Sequence, residues 1–263
     1  MLFSDPSSAP DKFFEFAQSK GKAQYAADLP ATCFSDRTRL MNLNTDTKGH
    51  VKSITKEADG ITKGYVYVGQ QFSHSALHVE NDNLASVNFI HKGAPKYWFG
   101  FSADSADQID KIARDTMGMD CNNPLFHRSF LVNPLMFLNY PEIKVFKAVQ
   151  HAGEFIVTQC KAYHQVFNLG ANLAEAINIG PALWLRYREQ IASCNCQGER
   201  AVVPADLPID LNQSNVEQHT SRENNYTCRI KHMVPRVPGV ADLDNNAKFK
   251  RMRARKPKRI SQR

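Results

Sequence analysis

The sequence predicts a mainly β fold, an antiparallel sandwich or barrel with a few added helices. At least six strand-like segments, rich in β-branched and aromatic residues, lie between Lys63 and Ile179. These segments do not alternate with helix-like ones, which argues against a doubly wound α/β fold. The length of 263 residues is enough for one large domain or two small ones.

Turn-forming residues separate several of the predicted strands. Glycines flank the first strand on both sides, and the turn HKGAP separates the second strand from the third. The six predicted strands are GYVYVG (64–69), LASVNFI (84–90), KYWFGF (96–101), IKVFKAVQ (143–150), EFIVTQC (154–160) and LAEAINI (173–179).

Three helices are predicted beside these strands. The first lies in a leader of residues 1–20 and precedes a polar, loop-rich stretch over residues 21–60. The second begins with a capping box and ends at a glycine, and the third begins at a proline. The residues that define them are Phe13, Phe14 and Phe16 in the first, Ser105, Gln108, Ile109, Ile112, Ala113 and Gly118 in the second, and Pro181, Trp184, Tyr187 and Ile191 in the third.

Charge is unevenly distributed along the chain. The net charge is +7, but the last sixteen residues, 248–263, hold nine Lys or Arg and no acid, so the rest of the chain carries −2. This basic tail is predicted to be disordered and to bind nucleic acid or an import receptor, or merely to aid solubility. Residues 199–247 are polar and are predicted to be loop-rich. The main domain is predicted to cover residues 21–198.

Membrane and secretory roles are not expected from the sequence. No run approaches the roughly 18 apolar residues of a membrane helix. The N-terminus MLFSDPSSAPDKFF has neither a basic nor an apolar signal region, so the six cysteines are expected to be reduced. Cys194 and Cys196 stand one residue apart, which suits a metal better than a disulfide between them.

One group of polar residues indicates an iron-dependent oxygenase. His78 and Glu80 project from the same face if they lie on a strand, and His164 is a candidate third ligand. A His-x-Glu pair alone is a weak signal, because chance pairs are common. Lys96 adds a cation that can pair with the far carboxylate of a dicarboxylate, and Asn88 can donate to the same ligand. The set favours a 2-oxoglutarate oxygenase on a double-stranded β-helix.

Two segments carry a family resemblance. HVENDNLASVNFIHKGAPKYWFG (78–100) and AGEFIVTQCKAYHQVFNLGANLAEAIN (152–178) resemble the Jumonji C (JmjC) domain of histone lysine demethylases, and most of all the lysine demethylase 4 subfamily. The resemblance covers roughly residues 20–196. It implies a cupin-like jelly-roll barrel, that is a double-stranded β-helix, with flanking helices and a structural zinc site.

The resemblance also implies a role for particular residues. Fe(II), 2-oxoglutarate and O₂ would be the cofactors, and a methylated lysine the substrate. The implied residues are His78, Glu80 and His164 for iron, Tyr25, Asn88 and Lys96 for 2-oxoglutarate, Asp28, Tyr67, Ala176 and Asn178 for the substrate, and Cys121, His127, Cys194 and Cys196 for Zn(II).

The implied activity is demethylation of trimethyl-lysine in the histone H3 tail, at lysine 9 or lysine 36, by a nuclear enzyme. Two alternatives remain open: a JmjC hydroxylase acting on a non-histone protein, and a weakly active or inactive chromatin-binding relative. Three departures from the subfamily bear on this choice. Only about twenty residues precede the Tyr25 segment, so no JmjN segment is expected; Ser75 replaces a usual phenylalanine; and Arg128 replaces a usual lysine.

Overall fold

The computed structural model describes residues 6–34, 59–61, 63–117, 121–191 and 194–196. Within these ranges the chain forms nine strands and two α-helices. The strands are β1 (Tyr25–Pro30), β2 (Tyr65–Gly69), β3 (His74–His78), β4 (Ala85–Gly93), β5 (Lys96–Phe101), β6 (Val145–Gln150), β7 (Phe155–Thr158), β8 (His164–Asn168) and β9 (Asn172–Ile179). The helices are α1 (Ala9–Gln18) and α2 (Ala106–Met117).

The strands form two antiparallel sheets with nested pairing. One sheet has the order β1-β2-β9-β4-β7 and the other the order β3-β8-β5-β6. Strand β2 pairs with β9, β3 with β8, β4 with β7 and β5 with β6. This nesting is the pattern of a jelly roll, in which the chain crosses repeatedly between the sheets. The predicted mainly β, jelly-roll fold is confirmed.

Helix α1 closes one side of the four-stranded sheet. Its apolar face buries Phe13 completely, and the ring of Phe13 stacks on that of Phe167 in β8 at 4.1 Å between centroids. Phe14 packs at the edge of the same cluster, near Phe99 of β5. The N-terminal helix thus contributes to the core rather than lying free on the surface.

Helix α2 packs against the barrel beside Leu77 of β3 and Phe101 of β5. Its predicted stripe is buried, with Ile109, Ile112 and Ala113 packed against Leu77 and Phe101. The helical backbone begins earlier than predicted, in a 3-10 turn at Ala103–Ser105 that runs directly into α2. The predicted end at Gly118 lies outside the described residues.

All six predicted strands are observed, but β1, β3 and β8 are not among them. Strand β1 lies at a sheet edge and its side chains are mostly exposed, so its sequence lacks the apolar alternation that marks a half-buried strand. No strand is predicted between residues 160 and 173, whereas β8 begins at His164. All five residues of β8 are buried, three of them polar, so neither an apolar run nor an alternation marks the strand.

The helix predicted after Pro181 is two short 3-10 helices, Ala182–Arg186 and Arg188–Gln190. Tertiary hydrogen bonds account for the difference. The indole of Trp184 donates to the carbonyl of Asp82 at 2.7 Å, and the amide of Asn83 donates to the carbonyls of Tyr187 and Gln190. These bonds replace the partners that a continuous α-helix would supply.

The turn between β4 and β5 requires glycine at one position. Gly93 has a φ of 102°, and a Cβ there would lie 2.4 Å from the carbonyl oxygen of Ala171. No helix among the described residues has the length and apolarity needed to cross a membrane. The polar region 199–247 and the basic tail 248–263 lie outside the described residues, so their predicted properties stay predictions.

We expect Phe13→Ala to lower the free energy of unfolding by about 3–5 kcal/mol, because it removes a fully buried ring and leaves a cavity against β8. Chemical denaturation monitored by fluorescence measures the change. Glu15→Ala, on the exposed face of α1, is the control and should shift stability by less than about 0.5 kcal/mol. Equal stability of the two variants would show that α1 does not contribute to the core.

Candidate active site

One cavity inside the barrel collects every residue predicted for the iron, cosubstrate and substrate sites. Its volume is about 390 Å³ and it opens to solvent at one end. The predicted residues that line it are Tyr25, Asp28, Tyr67, His78, Glu80, Asn88, Lys96, His164, Ala176 and Asn178. They come from β1, β2, β3, β4, β5, β8 and β9 and from the segment after β3, so only the closed barrel brings them together.

His78, Glu80 and His164 form a compact donor group. Their ligand atoms lie within 4.8 Å of one another, and His164 Nε2 is 3.3 Å from Glu80 Oε1. His78 and His164 are opposite each other in the β3–β8 pair, with ring centroids 4.3 Å apart. Glu80 does not lie on the strand as expected; it follows β3 by two residues and its extended backbone starts a 3-10 turn.

The hydrogen bonds of the two histidines orient both rings for metal binding. The Nδ1 of His78 lies 2.7 Å from the carbonyl oxygen of Ala76, and that of His164 lies 3.0 Å from the carbonyl oxygen of Ala162. Since a carbonyl can only accept, each Nδ1 donates, which leaves Nε2 as the nitrogen that faces the donor group. Burial, together with the nearby His164 and Arg128, lowers the pKa of His78 to about 3, so this ring is neutral.

Glu80 stays ionised inside the cavity. Burial alone would raise the pKa of Glu80, but the side chain of His164, 3.3 Å away, and the nearby His78 and Arg128 hold it below its usual value. Asn178 Nδ2 lies 3.5 Å from Glu80 Oε2, and Arg128 Nη2 lies 3.9 Å from the same oxygen. Two imidazoles and a carboxylate are the donor set of a facial triad, which suits Fe(II).

Lys96 is a buried cation at the base of the cavity. Its side chain is 1% exposed and its Nζ donates to Asn168 Oδ1 at 2.8 Å. Among the described residues, no carboxylate forms a salt bridge with it. Burial lowers the pKa of Lys96 from 10.5 to about 7. A buried ammonium without a counter-charge is a ready partner for a carboxylate that enters the cavity.

Tyr25 and Asn88 lie beside Lys96 with polar atoms facing the cavity. Lys96 Nζ is 5.6 Å from the centre of the Tyr25 ring, and Asn168 and Ser75 hydrogen-bond the Tyr25 hydroxyl. Burial raises the pKa of Tyr25, so the hydroxyl keeps its proton. Asn88 Oδ1 is buried without a hydrogen-bond partner. Such an atom is expected where a ligand completes the hydrogen bonding.

An aromatic and acidic group lies toward the cavity mouth. The Tyr67 hydroxyl donates to Asp28 Oδ1 at 2.9 Å, and Tyr65 packs edge-on against Tyr67 at 6.4 Å. A bulge in β1 puts Asp28 in the left-handed region, with a φ of 54°. On β9, Ala176 and Asn178 line the same cavity at a spacing of two residues.

Sequence reasoning missed two contributors to this cavity. Tyr65 lines it beside Tyr67, and its spacing of two residues along β2 was the signal that could have found it. Asn168 holds Lys96 and also donates to the hydroxyl of Ser73 at 2.8 Å. No sequence pattern marks Asn168, because its role depends on a lysine from another strand.

A second donor group joins the region after α2 to the last described residues. The ligand atoms of Cys121, His127, Cys194 and Cys196 lie within 4.8 Å of one another. His127 Nε2 is 3.3 Å from the Sγ of Cys121 and 3.5 Å from that of Cys196. Ligands of one tetrahedral zinc, with bonds of about 2.0 and 2.3 Å, would stand about 3.5 Å apart. Three thiols and an imidazole therefore fit Zn(II).

The surroundings of these four residues also suit a metal. Asn122 and Asn195 form a reciprocal pair, in which each backbone N–H donates to the other side chain at 2.8 and 2.9 Å. The backbone N–H of Asn123 points at the Sγ of Cys121 at 3.4 Å. Bonds of this kind hold the two ligand-bearing segments in register.

Comparison with known proteins finds similarity to one family over the strands that form this cavity. A family model described as "JmjC domain, hydroxylase" matches residues 65–179, the range from β2 to β9. The human protein named "Probable lysine-specific demethylase 4F" is 29% identical over 232 residues, which cover 84% of this chain and 35% of that protein. The Arabidopsis thaliana protein named "Putative lysine-specific demethylase JMJ16" is 31% identical over 176 residues, 60% of this chain and 15% of that protein.

The resemblance to JmjC lysine demethylases is confirmed by these matches. The matched range contains both histidines and the glutamate of the compact donor group. The chain spans about a third of the human relative's length and less of the plant relative's.

We expect Asn195→Ala to weaken zinc binding about 10- to 100-fold, because it removes a side chain that positions the ligand segments without being a ligand itself. Competition with a chromophoric chelator measures the affinity. Asn139→Ala changes an exposed asparagine elsewhere and should bind zinc as the unaltered chain does. If Asn195→Ala also leaves the affinity unchanged, the reciprocal asparagine pair has no part in the metal site.

Proposed function

We propose that this chain, whose residues 65–179 form a JmjC domain, is an Fe(II)- and 2-oxoglutarate-dependent oxygenase that demethylates lysine. The observation that carries the proposal is the single cavity with two histidines and a glutamate converging beside a buried lysine. The names of both relatives, which call them lysine-specific demethylases, support the reaction. Trimethyl-lysine of histone H3, at lysine 9 or lysine 36, is the proposed substrate and the nucleus the proposed location.

His78, Glu80 and His164 would hold the iron through two Nε2 atoms and one carboxylate. Iron with 2-oxoglutarate and O₂ supplies the oxidising chemistry that hydroxylates an N-methyl group, after which the product loses formaldehyde. The residues of the chain would bind and orient the reacting groups. The bonds to Ala76 and Ala162 orient both imidazole rings, and burial keeps His78 neutral.

Lys96, Tyr25 and Asn88 would bind the cosubstrate. The ammonium of Lys96 offers charge to the far carboxylate, and the protonated hydroxyl of Tyr25 offers a hydrogen bond to the same group. Asn88 lines the same cavity, and its side-chain N–H groups would be the donors to an oxygen of the cosubstrate. Ser75 gives this part of the cavity a small polar wall, where a larger side chain would exclude water.

The substrate would enter past Tyr67 and Asp28. A trimethylammonium group carries positive charge on its methyl hydrogens, which favours aromatic faces, carboxylates and carbonyl-type oxygens. Tyr65 and Tyr67 supply the rings, and Asp28 and Asn178 supply oxygens. The hydrogen bond from Tyr67 to Asp28 fixes both groups before the substrate arrives, which reduces the ordering cost of binding.

The four-residue group Cys121, His127, Cys194 and Cys196 would hold a structural Zn(II). With four protein ligands the site has no open position, so it would brace the fold rather than take part in the reaction. The basic tail 248–263 would provide contact with nucleic acid or an import receptor through its charge.

Purified full-length chain with Fe(II), ascorbate and 2-oxoglutarate should demethylate a member of a panel of methylated histone H3 peptides. Mass spectrometry should show the loss of one CH₂ per methyl group, with release of formaldehyde. His78→Ala should lower the rate by more than about 100-fold, because it removes a ligand of the metal. His151→Ala, which changes an exposed histidine outside the cavity, should not.

A different product would change the assignment. Gain of one oxygen atom without formaldehyde would make the chain a protein hydroxylase, a reaction that the wording of the family model also favours. Absence of any product, in protein that binds the metal and 2-oxoglutarate and is offered methylated and unmethylated peptides, would contradict an enzymatic role and favour a chromatin-binding one.

Binding of 2-oxoglutarate should take up as much as about one proton per molecule at about pH 8. Lys96 has a pKa of about 7 in the free chain and is mostly neutral at that pH. The arriving carboxylate raises this pKa and the amine takes up a proton. Titration calorimetry with Mn(II) at the iron site, in two buffers that differ in ionisation enthalpy, measures the uptake.

Lys96→Arg is the control for the proton uptake, since arginine is always charged and should bind without uptake. Lys96→Met should bind weakly, which separates loss of the charge from a change in its protonation. Binding to the unaltered chain without proton uptake would rule out Lys96 as the titrating partner of the carboxylate.

A further inference from the structure

The outer face of the five-stranded sheet carries a third donor group, away from the cavity. In the β4–β9 pair, Asn88 lies opposite Ala176 and both line the cavity. The next pair along is Phe89 and Glu175, which therefore point to the opposite face. His91 follows Phe89 by two residues and reaches the same carboxylate, with its Nε2 3.0 Å from Glu175 Oε2.

Cys33 joins this face from the segment that follows β1. Its backbone N–H donates to Glu175 Oε2 at 2.8 Å. One ligand atom each from Cys33, His91 and Glu175 lie within 4.8 Å of one another. Ligands about 2.0 Å from one tetrahedral zinc stand roughly 3.3 Å apart, close to the observed separation of His91 and Glu175.

One oxygen of the buried Glu175 carboxylate lacks a hydrogen-bond partner. The side chain is fully buried; Oε2 accepts from the backbone N–H of Cys33 and lies 3.0 Å from His91 Nε2, and a metal ion would displace the proton between these two atoms. Oε1 is also buried and has no hydrogen-bond partner. A buried carboxylate oxygen without a donor is costly, and a cation is one of the few groups that relieves the cost.

The surroundings give the group one dry side and one open side. The ring of Phe34 lies 4.6 Å from that of His91 and 5.3 Å from that of Phe89, which shields the donors from one direction. Cys33 itself is exposed, so water can reach the group from the other direction. Three protein ligands with an accessible fourth position describe an open metal site.

We propose that Cys33, His91 and Glu175 form a metal site for a zinc-type divalent cation, with water as the fourth ligand. One thiolate, one imidazole and one carboxylate are all ligands that zinc accepts, while the thiolate disfavours magnesium and calcium. The bound ion would tie the segment after β1 to β4 and β9. The site is separate from the cavity and from the Cys121 group, and it does not depend on the proposed reaction.

Metal content of the full-length chain tests the proposal. The chain is saturated with Zn(II) and the excess is removed. Inductively coupled plasma mass spectrometry should then find one more equivalent of zinc per chain in the unaltered protein than in Cys33→Ser. Cys228→Ser removes a thiol elsewhere in the sequence and should retain the full content. Equal zinc in Cys33→Ser and in the unaltered chain would overturn the proposal.

Reactivity of Cys33 tests whether the three residues act together. Zn(II) should slow alkylation of Cys33, followed on its peptide, about tenfold, because a metal-bound thiolate is a weaker nucleophile. His91→Ala should abolish this protection. Glu175→Gln serves as the second variant, since it keeps the size of the buried side chain. Protection that survives both changes would mean that zinc binds the thiol alone, and the site as proposed would be wrong.

Discussion

The antiparallel pairing of β3 with β8 is the constraint on which the candidate active site depends. It sets His78 opposite His164, and Glu80 follows from the first residues beyond β3. These strands are distant in sequence and meet only when the jelly roll closes, so the donor group does not exist in the open chain. Closure also brings in the opposing sheet, whose β4 and β9 supply Asn88 and Asn178. Folding of the barrel and assembly of the donor group are therefore one event.

The burial of Lys96 shows what this closure costs. The fall of its pKa from 10.5 to about 7 corresponds to about 5 kcal/mol disfavouring the charged form in the folded chain. Because the folded pKa is the lower one, the penalty is complete below about pH 7 and disappears as the pH rises toward 10.5. Asn168 supplies a hydrogen bond but no charge. The fold holds a cation that only an anionic ligand can fully compensate.

The sequence predicts an element well when residues close in sequence determine it, and poorly when partners on distant strands do. The strand 96–101 is predicted to the residue, because it is a short run of apolar and aromatic residues bounded by turn signals. The ten cavity residues follow from family motifs. Strand β8 and the partnership of Lys96 with Asn168 escape prediction, since buried polar residues are stable only through partners on other strands. Strand β1 escapes for the opposite reason: it is an exposed edge with little apolar signal.

Strand β9 links the two faces of the five-stranded sheet. Ala176 and Asn178 face the cavity, while Glu175 and Ile177 face the outer layer. A register shift of one residue would exchange these faces and turn the Glu175 carboxylate into the cavity. The bonds of Glu175 with His91 and with the backbone of Cys33 oppose such a shift, because the buried carboxylate has partners only in the observed register. A cation on the outer face would strengthen the same restraint, and would hold in place the strand that presents Asn178 to the cavity.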